Sequence, residues 1–207
     1  MYTKYFIYAI IFCFLLGCES KEEQLEATHK PNIVWIIVED MSPDLACFGN
    51  ELVNTPALNS LSEHGTMYTN AFAAGAACSP SRTALATGYY QNSIGAHHMR
   101  YPEHLRPELP DGVIPIHTIM KENGYQTANI KSKPGNQKTD WLFNYDPNTY
   151  DVERWDSLKT NAPFFARINL ALTHRGFTKD KINPIDPSII KVPPYYPDHE
   201  VTRQDWA

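Results

Sequence analysis

The chain has 207 residues, 43% hydrophobic and 20% charged, with a formal charge of −5. That is ordinary globular composition and enough chain for one sizeable core. The mild acidity offers no basic face, so no nucleic-acid partner is expected.

Lys4 precedes the apolar run "YFIYAIIFCFLLG", which is too short to span a bilayer comfortably. Residues 1–18 therefore read as a secretory signal. The run ends in "LLGC", which resembles a bacterial lipoprotein box; that resemblance implies a lipid on Cys18, the first residue of the mature chain. The alternative is a plain signal with an incidental cysteine. Residues 19–30, "ESKEEQLEATHK", are polar without turn punctuation and read as a solvated tether. The expectation is an exported protein, periplasmic or on the cell surface of a bacterium, touching the membrane only through its lipid. Export implies an oxidising compartment. With Cys13 removed and Cys18 lipidated, Cys47 and Cys78 remain, and the two could form a disulfide.

"NIVWIIV" (32–38) is a continuous apolar run, which predicts a parallel strand buried on both faces and ending at Glu39–Asp40. "TPALNSLSEHG" predicts a helix with Thr55 as N-cap, Pro56 at its first position and Gly65 as a stop. "TMYTNAFA" (66–73) alternates like a short strand. "SPSRTALATG" predicts a helix with Pro80 near its first turn and Gly88 at its end. "PIHTIMKENGYQTANI" predicts a helix closed by Gly124, then a strand over Thr127–Ile130. "APFFARINLALTH" (162–174) predicts another buried strand, ending at His174. The tail "DPSIIKVPPYYPDHEVTRQDWA" is proline-rich and extended and stops as a helix begins, which suggests a truncated chain. Strands alternating with helices give an α/β fold, a mostly parallel sheet sandwiched by helices. Sites in such sheets form beyond the carboxyl ends of the strands, where Glu39, Asp40 and His174 fall.

"CSPSR" (78–82) runs on into "TALATG", and upstream lie "PNIVWIIVED" and "NTPALNSLSEHGTMYTNAFA". In that order and spacing these segments resemble the type I, formylglycine-dependent sulfatases of the alkaline phosphatase superfamily, from about Pro31 to the end. The resemblance implies an alkaline-phosphatase-like fold, with residues 31–207 as the N-terminal part of the catalytic domain. It also implies that a formylglycine-generating maturation enzyme converts Cys78 to formylglycine, which hydrates to a geminal diol. One diol oxygen attacks sulfur, and the other then expels sulfate by regenerating the aldehyde, a release step that a serine ester lacks. The position suits that chemistry. Cys78 precedes a helix, whose free N–H groups and dipole favour an anionic sulfate. Arg82, one turn on, can return toward the diol.

Glu39 and Asp40 match the family's first acidic pair, usually Asp–Asp, and with the matured Cys78 imply ligands for Ca²⁺, with Mg²⁺ as the alternative. Glu39 departs from the pattern by one methylene. The family's remaining metal ligands normally lie well beyond position 207. After "GYQTA" the family commonly carries Gly-Lys-Trp-His, whereas this chain has "NIKSKPGNQKTDWLF". A bacterial branch carries Ser-Lys-Thr-Asp-Tyr there, and the resemblance of "QKTDW" makes Lys138 the sulfate clamp, with Lys133 the alternative by simple counting. The usual histidine has no clear counterpart. His174, in "LALTHRGF", aligns with a later family histidine, which implies sulfate contact or protonation of the departing oxygen or nitrogen. "GAHHMR" adds His97, His98 and Arg100; adjacent histidines point apart in an extended segment, so a shared metal is not expected, and the open readings are substrate contact by one of them or a plain surface loop.

"CSPSRTALATGYYQNSIGAHH" most resembles the N-sulfoglucosamine sulfohydrolase-like branch, which implies heparan-type sugars. The expected reaction is hydrolysis of sulfate esters or N-sulfo groups on a sulfated saccharide. Two other readings stay open. One is a phosphonate or phosphate monoester hydrolase with the same nucleophile and metal. The other is a non-catalytic glycan-binding lipoprotein, weakened at Glu39 and by the missing histidine.

Overall fold

The structure, a computed structural model, describes residues 30–131, 135–174, 176 and 180–207. The expected signal, Cys18, most of the tether and Lys133 lie outside the described residues.

Residues 32–207 form a compact unit built on one sheet. Its strands are β1 (Ile33–Val38), β2 (Gln126–Ile130), β3 (Gly135–Asn136) and β4 (Phe164–Leu170). β4 is central. β1 runs parallel along one side of it, from Ile33–Phe165 to Val38–Leu170. β2 runs parallel along the other, from Gln126–Phe164 to Ile130–Ile168. β3 then takes over beyond β2 as an antiparallel pair, setting Asn136 opposite Asn169. The sheet joins distant sequence: the Phe164 N–H donates to Asn32 Oδ1 at 3.2 Å across 132 residues.

Alternation along these strands puts Trp35, Ile37, Arg167 and Asn169 on one face. That face meets the helices α2 (Cys78–Thr87) and α3 (Ile116–Glu122). Trp35, Ile37 and Arg167 surround a void of only about 10 Å³ together with Arg82, Ile116 and Trp141. Next to it, Ala86, Trp141 and Phe143 pack with Tyr145 and Tyr150. Trp141 stacks on His117 at 4.9 Å and on Phe143 at 5.4 Å. Each large apolar side chain fully buried there contributes about 1.5–3 kcal/mol.

The opposite face is covered unevenly. Ala128, Ile130 and Ala166 pack beneath Val152 and Leu158. Val34 and Ile36 of β1 are 46% and 51% exposed. The apolar run of β1 is therefore covered on one face only, not on both as its lack of alternation predicts.

Helix α1 (Pro56–His64) begins at Pro56 as expected. Thr55 occupies the N-cap position without capping, because its hydroxyl accepts from the Ala46 N–H at 3.2 Å and donates to Asn59 Oδ1. The strand predicted over 66–73 does not form. Alternation becomes a strand only where a neighbour takes the ladder hydrogen bonds, and none of the described strands lies beside it. Phe72 there is 90% exposed. α2 ends at Gly88, whose φ of +73° suits glycine and whose N–H returns to Ala84 O at 2.8 Å. In the tail, α4 (Glu200–Trp206) is tied back by Arg203, which forks onto Asp198 and donates to Ile190 O at 2.8 Å. Among the described residues, no helix is long and apolar enough to cross a membrane.

Candidate active site

β1 delivers Glu39 into the molecule. The Glu39 N–H continues the ladder to Leu170 O at 2.8 Å, and the side chain is buried. Asp40 follows with a φ of +48°, a left-handed conformation that Asp tolerates better than most residues. That turn separates the two carboxylates: Glu39 points inward and Asp40 lies half exposed, with His174 Nε2 3.7 Å from its Oδ2.

Glu39 is the anion of a buried cluster. Arg82 Nη2 pairs with Glu39 Oε1 and also donates to Asn169 Oδ1. Lys138 Nζ reaches Glu39 Oε2 at 3.3 Å, and Asn169 Nδ2 donates to Glu39 Oε1 at 3.4 Å. A buried carboxylate unpaired here would cost several kcal/mol; two cations and an amide offset that cost. The sequence pattern explains the convergence. Arg82 lies four residues after Cys78, so both occupy one face of α2, and helical side chains lean toward the N-terminus. Cys78 is the first residue of α2, half-buried, and both Cys47 and Cys78 are free thiols, so the disulfide alternative does not form.

A second carboxylate joins the cluster from outside the expected set. Asp140 Oδ2 accepts from Ser79 Oγ at 2.6 Å and lies 3.5 Å from Lys138 Nζ, while Asp140 Oδ1 lies 3.8 Å from Arg100 Nε. Burial raises the Asp140 pKa, but the Ser79 hydrogen bond and the Lys138 and Arg100 charges outweigh it, leaving the carboxyl below its ordinary range. Behind it, the Lys138 carbonyl accepts from Arg82 Nη1 at 3.1 Å and from Arg167 Nη2 at 2.5 Å.

The structure thus brings Glu39, Arg82 and Lys138 together, at the start of the helix that Cys78 opens. Asp40 and His174 form a separate exposed pair. His97 and His98 are exposed, and their rings lie 4.3 Å apart. They do not point apart, because the chain there turns and is not extended. Sequence reasoning did not single out Asn169, Asp140, Ser79 or Arg167. The available signal was "FFARINL", where two polar residues share one face of an otherwise apolar strand. A cleft of about 1210 Å³ opens beside the cluster, walled by Asp40, Phe48, Thr173, Tyr196 and Trp206; Cys78 and Arg82 are not among its walls.

The oxygen donors at the strand end, Glu39, Asp40 and Asn169 Oδ1, suit a hard divalent cation in kind. They are short in number: no group of three or more His, Cys, Asp or Glu side chains is placed to hold a metal among the described residues. Glu39 and Asn169 Oδ1 are engaged by Arg82 and Lys138 and Asp40 faces His174, so holding a cation there requires these groups to exchange their present partners for it.

A mostly parallel sheet flanked by helices, with its polar cluster at the carboxyl ends of the strands, defines an α/β protein. Residues 31–202 match the sequence profile of the Sulfatase family, and the chain belongs to that family. It is 29% identical to an ulvan-active sulfatase of Formosa agariphila over 194 residues, 82% of this chain and 32% of that protein. It is 31% identical to the iduronate 2-sulfatase of Mus musculus over 71% of this chain and 27% of that one. The chain therefore spans about a third of the length of these curated relatives. A solved structure in complex with its substrate D-glucosamine-2-N,6-O-disulfate superposes with a TM-score of 0.56. That match has 18% identity and covers 73% of this chain and 36% of the other; it speaks to the fold. The family generally works with formylglycine and a divalent metal.

Proposed function

We propose that the protein hydrolyses sulfate esters or N-sulfo groups on sulfated saccharides, heparan-type sugars first among them, with formylglycine formed from Cys78. The observation that carries this reading is the buried cluster of Arg82, Glu39, Lys138 and Asn169 against the helix that Cys78 opens. Arg82 orients residue 78 from one turn away. Lys138 supplies a fixed positive charge for the sulfate oxygens, and such preorganised charge stabilises an anionic transition state more than solvent does. His174, at the exposed edge, delivers a proton to the departing oxygen or nitrogen. His97 or His98 contacts the sugar. Glu39, Asp40 and the matured residue 78 would hold Ca²⁺, with Mg²⁺ as the alternative. When bound, such a cation lowers the energy of negative charge at the reacting oxygens.

We further propose that residues 1–18 direct export and that lipidated Cys18 holds the protein to a bacterial membrane, in the periplasm or at the cell surface. The maturation enzyme that makes formylglycine is then a required partner.

Peptide mapping of protein made in a host with the maturation machinery should show residue 78 as an aldehyde or its hydrate. In the full-length protein, Cys78→Ala should abolish aryl sulfate hydrolysis while leaving circular dichroism unchanged. A fully active Cys78→Ala variant would end this reading. Aryl phosphate turned over faster than aryl sulfate would move the protein to the phosphonate and phosphate monoester hydrolases.

A further inference from the structure

The segment Lys138–Leu142 is fastened to α2 at three points. Ser79 Oγ donates to Asp140 at 2.6 Å, Arg82 Nη1 donates to the Lys138 carbonyl at 3.1 Å, and the Leu142 N–H donates to Thr83 Oγ1 at 3.0 Å. Ser79, Arg82 and Thr83 are three and four residues apart and share the face of α2 turned to this segment. All three are buried.

We infer that Asp140 is a positioning residue that holds the first turn of α2, and the ammonium of Lys138, in one fixed arrangement.

This rests on the proposed roles of Cys78 and Lys138. The first turn of a helix has no intrahelical partners for its N–H groups, so it frays first. Here the turn carries the proposed nucleophile. Of the three fastenings, only that of Asp140 acts on the residue next to Cys78, and its carboxylate complements the positive end of the helix. The same carboxylate faces Lys138 and Arg100, so one side chain links the nucleophile's turn, the proposed sulfate clamp and the segment bearing His97 and His98. Asp140 has a φ of +52°. Few non-glycine residues adopt that left-handed conformation, and the contacts around Asp140 sustain it.

The test uses the full-length protein and the variants Asp140→Ala, Asp140→Asn and Ser79→Ala, read by aryl sulfate kinetics and by amide exchange. Asp140→Ala should lose about tenfold to a hundredfold in kcat, the effect of a reacting group displaced by a fraction of an ångström to an ångström. Asp140→Asn keeps an acceptor for Ser79, so its kcat should return to near the parent value. Its KM should stay raised by about threefold, the size of a part-exposed ion pair. Ser79→Ala should lower kcat and leave KM unchanged. Amide exchange over Cys78–Thr87 should quicken in Asp140→Ala and recover in Asp140→Asn, with β4 unchanged in both. Unaltered exchange in α2 of Asp140→Ala would overturn the inference, as would equal losses of kcat in the alanine and asparagine variants. If the parent hydrolyses no sulfate ester, the proposed function fails, and the exchange measurement still decides whether Asp140 fixes this turn.

Discussion

At the carboxyl end of β1 the molecule divides into two regions. On the inner side, Glu39 is 3% exposed and bound by Arg82, Lys138 and Asn169. On the outer side, one residue later, Asp40 meets His174 at 3.7 Å in the open. Two adjacent acidic residues, equivalent in a sequence pattern, therefore have opposite physics. The inner carboxylate is fixed by the fold and is expensive to disturb. Among the described residues the outer one is held by an exposed pair with His174, which costs little to rearrange. The left-handed turn at Asp40 makes the division.

The hardest blow to this contrast is Arg82→Ala. It leaves Glu39 buried with one cation partner fewer, and breaking such a pair costs about 3–5 kcal/mol. Urea unfolding should show a loss of that size, and a loss below about 1 kcal/mol would mean that the inner region is not held by its charges. Pairing Arg82→Met with Glu39→Leu should recover much of it.

Proton sensitivity sharpens the same contrast through His117. Burial first, then the charges of Lys121 and Arg167, lower its pKa from 6.5 to about 4. The unfolded chain takes up a proton in that interval and the native chain does not. The contribution of His117 to stability is therefore complete above about pH 7 and shrinks as pH falls through the window, by about 3 kcal/mol at pH 4. His117→Phe, which keeps an aromatic ring against Trp141, should flatten the acid side of a stability-against-pH curve. An unchanged curve would place the proton-sensitive group elsewhere.

Lysine replacement sharpens the contrast through activity. Lys138→Ala in the full-length protein should cost about a hundredfold in kcat/KM, the scale of one preorganised donor lost to the transition state. Lys133→Ala should cost far less. The opposite ranking would return the clamp to Lys133.

The smallest effect is expected on the outer side. Asp40→Asn should change the unfolding free energy by no more than about 0.5 kcal/mol, as exposed pairs do. Calorimetry should nonetheless show weaker Ca²⁺ binding by this variant. A large loss of stability would mean that Asp40 is held as firmly as Glu39.

Much of this arrangement could be read in the chain. A continuous apolar run marked β1, an apolar run broken by Arg167 and Asn169 marked β4, and Pro56, Gly88 and Gly124 marked helix ends, because those residues act locally on the backbone. Cys78, Arg82, Glu39 and Lys138 stood out because they sit in short segments of distinctive chemistry. Asn169 did not, since its role depends on register: β4 must lie beside β1 with Asn169 opposite Ile37, two residues before Glu39. Asp140 meets Ser79 across 61 residues, which no local pattern encodes. The strand expected at 66–73 failed for the converse reason: its alternation was legible, but a strand exists only with a neighbour.

The central place of β4 also sets an order in time. β1 finds its partner only after the chain has been made as far as Leu170, and closing so long a loop is slow relative to forming a helix. Cys78 lies between the two strands, so it emerges before the sheet that will enclose its helix can assemble. A maturation enzyme of the kind proposed would in that interval meet Cys78 before β1 and β4 have closed around its helix, and not in a finished site. Changes that hasten the meeting of β1 with β4 shorten the interval, and changes that delay it lengthen it, with the same folded structure at the end.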